Sequence, residues 1–147
     1  MSELFSQSYR NIVTDHFEGE WEPDDGLSAR EYADALAESD VTVLPAALEQ
    51  FYRSVGAVED IMEAYYFVWD PDELEVQDGY VCFMEDEDDR YTWGFPVESL
   101  NVPDPLVFRR FNAKDTWAET GATISEYLLD YFEWVFTEVE PAVEEDL

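Results

Sequence analysis

The sequence predicts a single α+β domain, with a multi-stranded, largely antiparallel sheet flanked by N-terminal helices and a C-terminal helix. Three observations carry this. The first part of the chain and its last apolar segment show helix caps followed by residues at 3.6-residue spacing. The middle shows two-residue alternation broken by turn dipeptides. The two signals are segregated along the chain, which separates α+β from alternating βαβ architectures. A length of 147 residues suits one domain, 1–147. An acidic tail follows at 140–147.

Leu4, Phe5, Tyr9, Ile12 and Val13 recur at roughly helical spacing and predict a first short helix. The stretch EGEWEPDDG, with Gly19, Pro23 and Gly26, reads as a loop. Ser28 and Glu31 then form an S-x-x-E capping box, with Leu27 and Tyr32 placed as a hydrophobic staple. The helix they start shows Tyr32, Ala35 and Leu36 on one face and ends near Ser39 and Asp40. The clearest helix is LPAALEQFYRSVG, residues 44–56. Pro45 suits its first turn, where a missing N–H costs nothing. Leu48, Phe51, Tyr52 and Val55 follow at i, i+3, i+4 and i+7, and Gly56 predicts a left-handed stop.

The period then changes. AYYFVW ends in the turn DPDEL, and Asp78 with Gly79 marks another turn. YVCFM is apolar on both faces and predicts a central strand. In RYTWGF, Tyr91, Trp93 and Phe95 point one way, Thr92 and Gly94 the other. Gly94 suits a close backbone approach or a bulge. The acids Glu85, Asp86, Glu87, Asp88 and Asp89 lie between these strands and predict a solvated hairpin tip. LVFRRF predicts a further strand. Thr123 and Glu126 cap the last helix, lined by Ile124, Tyr127, Leu128, Tyr131, Val135 and Val139, widened by Leu129, Phe132 and Phe136, and ended by Pro141. Trp93 and Trp134 are expected in the core; Trp21 and Trp117 fit either the core or an exposed anchor.

Composition narrows the function. Apolar residues make up 46% of the chain and aromatics 16%, which argues for a packed core despite the charge. A chain of this size buries about 68–70% of its unfolded surface. Thirty-seven acids face seven bases, a formal charge of −30. Such a surface repels phosphate, so direct binding to nucleic acid or to an anionic membrane is disfavoured. It favours a basic protein partner, because opposite potentials speed encounter and penalise wrong partners. A merely solvated, salt-adapted surface is the plain alternative. The longest apolar run, residues 64–69, is too short to span a bilayer. The N-terminus has Glu3 and Arg10 and lacks an apolar signal region, so a cytoplasmic protein is expected.

Catalytic signatures are sparse. The five consecutive acids lack the spacing and the glycine of a calcium loop, so they do not predict a metal site. His16 is the one histidine and has no neighbouring nucleophile in sequence. Cys82, the one cysteine, lies in an apolar strand and reads as a small buried hydrophobe. With so many carboxylates, no acid–base pair can be singled out. Neither a P-loop, a dinucleotide fingerprint nor a nucleophile elbow is present in the sequence. No catalytic residue, metal or cofactor is therefore expected.

The central residues do resemble a known family. LPAALEQFYRSVG is similar to the L-P-x-x-L-x-x-F-Y-x-x-x-G opening of the SUKH superfamily. DPDELEVQDGYVCFMEDEDDRYTWGF, DPLVFRRF and TISEYLLDYFEWVF follow in that family's order, over about residues 41–139. Leu44, Pro45, Gly56, Gly79, Trp93 and Gly94 are the structural signature positions this implies. The resemblance implies helices against one sheet and no catalysis. Its bacterial members are immunity proteins that bind and block a cognate toxin domain, often a nuclease or deaminase; its fungal members regulate cell-wall synthesis. With the charge, it implies an immunity protein occluding a basic toxin domain; the oligomeric state is left open, with a monomer favoured. Glu85, Asp86, Glu87, Asp88, Asp89 and Trp21 are the candidate contact residues. A regulatory or scaffold binding module and an acidic DNA mimic are the alternatives.

Overall fold

A six-stranded antiparallel sheet organises the chain in the computed structural model, which describes residues 5–17 and 19–139. Its strands are β1 (Phe67–Val68), β2 (Glu75–Gln77), β3 (Tyr80–Glu85), β4 (Tyr91–Pro96), β5 (Leu106–Phe111) and β6 (Thr116–Thr123). The order is β1-β3-β4-β5-β6, and β2 also pairs with β3. β1 and β2 occupy successive stretches of one edge of β3: Val68 lies opposite Met84, and Val76 opposite Val81. A 3-10 turn, Pro71–Glu73, lies between them in the chain. β3 is thus central, as its two-sided apolar pattern predicts. Asp78 (φ 56°) and Gly79 (φ 83°) form the two-residue turn that joins β2 to β3, a geometry that favours Asp-Gly.

The helices are α1 (Ser6–His16), α2 (Ala29–Leu36), α3 (Ala46–Val55), the single turn α4 (Glu59–Met62) and α5 (Ile124–Trp134). Both capping boxes form as the sequence predicts. Ser28 accepts from the Glu31 N–H while Glu31 accepts from the Ser28 N–H, and Thr123 and Glu126 do the same for α5. Asp104 reinforces the second box, accepting from Ser125 N at 2.9 Å and Ser125 Oγ at 2.5 Å. α1 has no such local cap. Its first amides, Phe5 N and Ser6 N, instead donate to Gln50 Oε1 of α3 at 2.7 and 3.1 Å.

The core lies between these helices and one face of the sheet. Tyr9 of α1, Leu48, Phe51 and Tyr52 of α3, and Leu128 and Phe132 of α5 are fully buried there. Phe83, Trp93 and Phe95 meet them from the sheet, also fully buried. Trp93 Nε1 donates to Tyr127 Oη at 2.6 Å, so burial leaves the indole N–H satisfied. Behind it, a Cβ on Gly94 would lie 2.6 Å from the Val81 carbonyl oxygen, which only glycine permits. The register of β3 slips between Cys82 and Met84, opposite this point. The bulge brings both Phe83 and Met84 into the core and leaves Cys82 on the opposite face.

Four expectations are corrected. Gly56 is right-handed (φ −64°), not a left-handed stop. A side chain there would instead run into the preceding turn, with Cβ 2.5 Å from the Tyr52 carbonyl oxygen. Pro45 is the N-cap of α3 and not its first helical residue. α2 ends at Leu36, earlier than Ser39. Trp134 is 39% exposed and stands edge-on against Tyr65, 5.4 Å between ring centroids. It lies seven residues beyond half-buried Tyr127, on the flank of α5 and not on its core face. Leu4, Pro141 and the tail 140–147 lie outside the described residues.

Candidate partner-binding surface

The β3–β4 hairpin carries the acids that the sequence singles out, and the structure divides them. Glu85 is the last residue of β3, so the tip itself is residues 86–90. Asp86 is 5% exposed and points inward. Its Oδ1 accepts from Arg90 N at 2.7 Å and Tyr91 N at 3.1 Å, and its Oδ2 from Arg90 Nε at 3.4 Å. Asp86 is therefore the brace of the turn and is corrected as a partner contact: the reversal leaves two amides without strand partners, and this carboxylate satisfies them. Asp89 takes the left-handed conformation (φ 59°). Asn112 Nδ2 donates to its carbonyl at 2.9 Å, tying the tip to β5. Glu87, Asp88 and Asp89 remain exposed, with Asp88 3.4 Å from Arg90 Nη2.

Trp21, the other candidate contact residue, lies between α1 and α2. It is half-buried, and its Nε1 donates to the Ser54 carbonyl at 2.6 Å. The Arg10 guanidinium sits 4.3 Å above its ring. The loop that holds it is fastened to the end of α3: Leu27 N donates to Tyr52 O and Ala57 N to Asp25 O, each at 3.0 Å. Gly26 makes that approach possible, since its Cβ position already overlaps the Arg53 carbonyl.

A surface that sequence reasoning did not find lies beside β1. A cavity of about 470 Å³ is floored by Met62, Phe67, Val68 and Trp69. Its rim holds Glu59 and Glu63 from α4, Asp70 and Glu73 from the 3-10 turn, and Glu85 from β3. A second concavity of about 400 Å³ continues past Trp69, Glu73 and Glu85 to Asp40, Asp72 and Glu75. The crowding registers in protonation. The Glu63 carboxyl is held above its usual range by its hydrogen bond with Glu59, then by burial and the neighbouring acids. Asp70 is raised by burial first, then by Glu73 and Asp72. Asp70, Asp72 and Glu73 bring carboxylate oxygens within 4.8 Å of one another, all exposed. Asp70 and Glu73 are already engaged as the reciprocal cap of their own turn. The sequence signal for this surface was DPDE itself, which reads locally only as a turn.

The opposite face of the sheet carries Tyr80, Phe108 and Trp117, the first stacked on the last at 4.1 Å. Trp117 is half-buried there. Arg110 is the hub of that face, donating to Gln77 Oε1 at 2.7 Å and Asn112 Oδ1 at 2.8 Å and lying 3.7 Å from Asp78. Cys82 is buried beside it, and burial pushes its thiol up to about 11 despite Arg110, which suits packing and not nucleophilic attack. His16 lies against the Phe136 ring at 5.2 Å. No helix among the described residues is long and apolar enough to cross a membrane.

Comparison with protein-family models, with curated proteins and with solved structures finds no match to this chain.

Proposed function

We propose that this chain is a non-catalytic inhibitor that docks on a basic protein, acting as the immunity protein of a bacterial polymorphic toxin system. The observation that carries the reading is the allocation of its cations. Every arginine has a partner within the chain. Arg10 and Arg109 each lie 4.3 Å from an aromatic ring, that of Trp21 and that of Tyr91. Arg53 donates to the Leu27 carbonyl, Arg30 faces Asp34, Arg90 braces the tip, and Arg110 organises the outer face. Against 37 acids this leaves most carboxylates without a cationic partner, and no ion pair among the described residues reaches Glu59, Glu63 or Glu85 beside Trp69. A basic toxin domain offers the complementary field, because a groove that holds phosphate must carry arginine and lysine. Occupying that groove keeps nucleic acid out. The SUKH-like order of motifs supports the same reading, and with it a cytoplasmic protein.

The test is co-purification with the toxin domain encoded beside this gene, followed by its nuclease or deaminase assay with and without this chain. Complex formation with loss of toxin activity supports the proposal; active toxin in the presence of excess chain refutes it. The association rate should fall steeply with ionic strength, because the encounter is steered by charge.

A further inference from the structure

Resting on that reading, we propose that the cavity beside β1 is where the partner is engaged, and that it seats an arginine-bearing segment of the basic protein. The floor and the rim ask for the same side chain. Trp69 and Phe67 offer aromatic surface, and Met62 and Val68 fill the space between. A guanidinium stacks flat on an indole and buries its methylene stem along apolar neighbours, where a hydrated lysine ammonium gains less. Carboxylates then meet it edge-on, as bidentate acceptors. They come from three separate segments, α4, the 3-10 turn and the end of β3, which the fold brings to one cavity.

The fold does not fill this need itself. The ion pairs among the described residues place Arg30 on Asp34, Arg90 on Asp86 and Asp88, and Arg110 on Asp78. None reaches Glu59, Glu63 or Glu85. The rim acids instead repel one another, and Glu59 and Glu63 share a hydrogen bond. An incoming cation relieves that repulsion, so charge complementarity is local to the cavity as well as global. The exposed tip differs: Asp88 already has Arg90, and the tip has no apolar floor.

The experiment compares two triple variants of equal charge. One is Glu59→Gln, Glu63→Gln and Glu85→Gln at the cavity; the other is Glu87→Gln, Asp88→Asn and Asp89→Asn at the tip. The probe is a fluorescein-labelled hexa-arginine peptide, read by anisotropy at physiological salt, and the toxin domain is measured in parallel. The cavity variant should lose at least about tenfold in affinity and the tip variant about twofold. Replacing arginine by lysine in the peptide should weaken binding to the native chain and change little for the cavity variant. Equal losses in the two triples would overturn the cavity as the site while leaving a basic partner in place. Peptide binding that needs the cavity, without any binding of a toxin domain, would uphold the cavity and refute the toxin reading. Circular dichroism checks both triples for folding. Should the cavity triple unfold, Glu63→Lys, a single change at an exposed position, must give the same loss of peptide binding or the inference fails.

Discussion

Replacing Asp86 by alanine tests the division of the acidic tip directly. Asp86 Oδ1 receives the Arg90 and Tyr91 amides at 2.7 and 3.1 Å, and its side chain is almost fully enclosed. A hydrogen bond to a charged group contributes about 1.5–3 kcal/mol net. Alanine removes both, and water reaching the exposed tip recovers part of the loss. The expected destabilisation is therefore about 2–3 kcal/mol, which for a chain of this length lowers Tm by about 5–10 °C. Asp86→Asn keeps an oxygen in the same place and should cost about 1 kcal/mol or less. Glu87→Gln, fully outside this network, should leave stability unchanged or raise it slightly by easing repulsion. Urea titration followed by tryptophan fluorescence measures all three. If Asp86→Ala stays within about 0.5 kcal/mol of the native chain, the carboxylate is solvated and the assignment of a bracing role is wrong.

Other outcomes follow from the core and the titrating groups. Trp93→Ala should cost about 3–5 kcal/mol, since it empties a fully enclosed site and orphans Tyr127 Oη; Trp93→Phe should cost clearly less in the same urea titration. The Cys82 thiol, with a pKa of about 11, should react with iodoacetamide at pH 8 more than about a hundredfold slower than in the urea-unfolded chain. Comparable rates would place the sulfur in solvent. Stability should also pass through a maximum on the acid side of neutrality. Glu63 and Asp70 have raised folded pKa values, so the folded chain takes up protons first and gains stability as pH falls from neutral toward the ordinary carboxylate range. Glu31 and Glu126 are lowered by their backbone hydrogen bonds to Ser28 and Thr123, so their stabilisation is present above the unfolded pKa and is lost as pH falls through the folded one. Tm measured across this range at fixed ionic strength checks the shape; a steady fall from pH 7 downward contradicts it.

Much of the fold is local chemistry and was legible as such. The boxes at Ser28 and Thr123 and the Asp78–Gly79 turn each depend on residues a few positions apart, and each forms as expected. Where the reading missed, the deciding partner was distant or the decisive variable was orientation. β6 has no apolar alternation in TWAETGAT, and it is a strand because β5 pairs with it. α1 is capped from α3 by Gln50, 44 residues from Ser6. Trp134 belongs by composition to the core, but its angular position on α5 puts it at the flank.

The candidate site shows the same split at higher stakes. Net charge and the scarcity of cations belong to composition, and the expectation of a basic partner comes from them without any coordinates. Which acids are available is a tertiary matter. Asp86 looks identical to its neighbours in sequence, yet the turn rotates it inward to satisfy two amides. Glu63, Glu73 and Glu85 look unrelated, yet pairing of β1 with β3 and the 3-10 turn after it bring them to one cavity with Trp69. Charge sums over a chain regardless of its path, whereas a concave surface with a floor and a rim exists only once distant segments have packed.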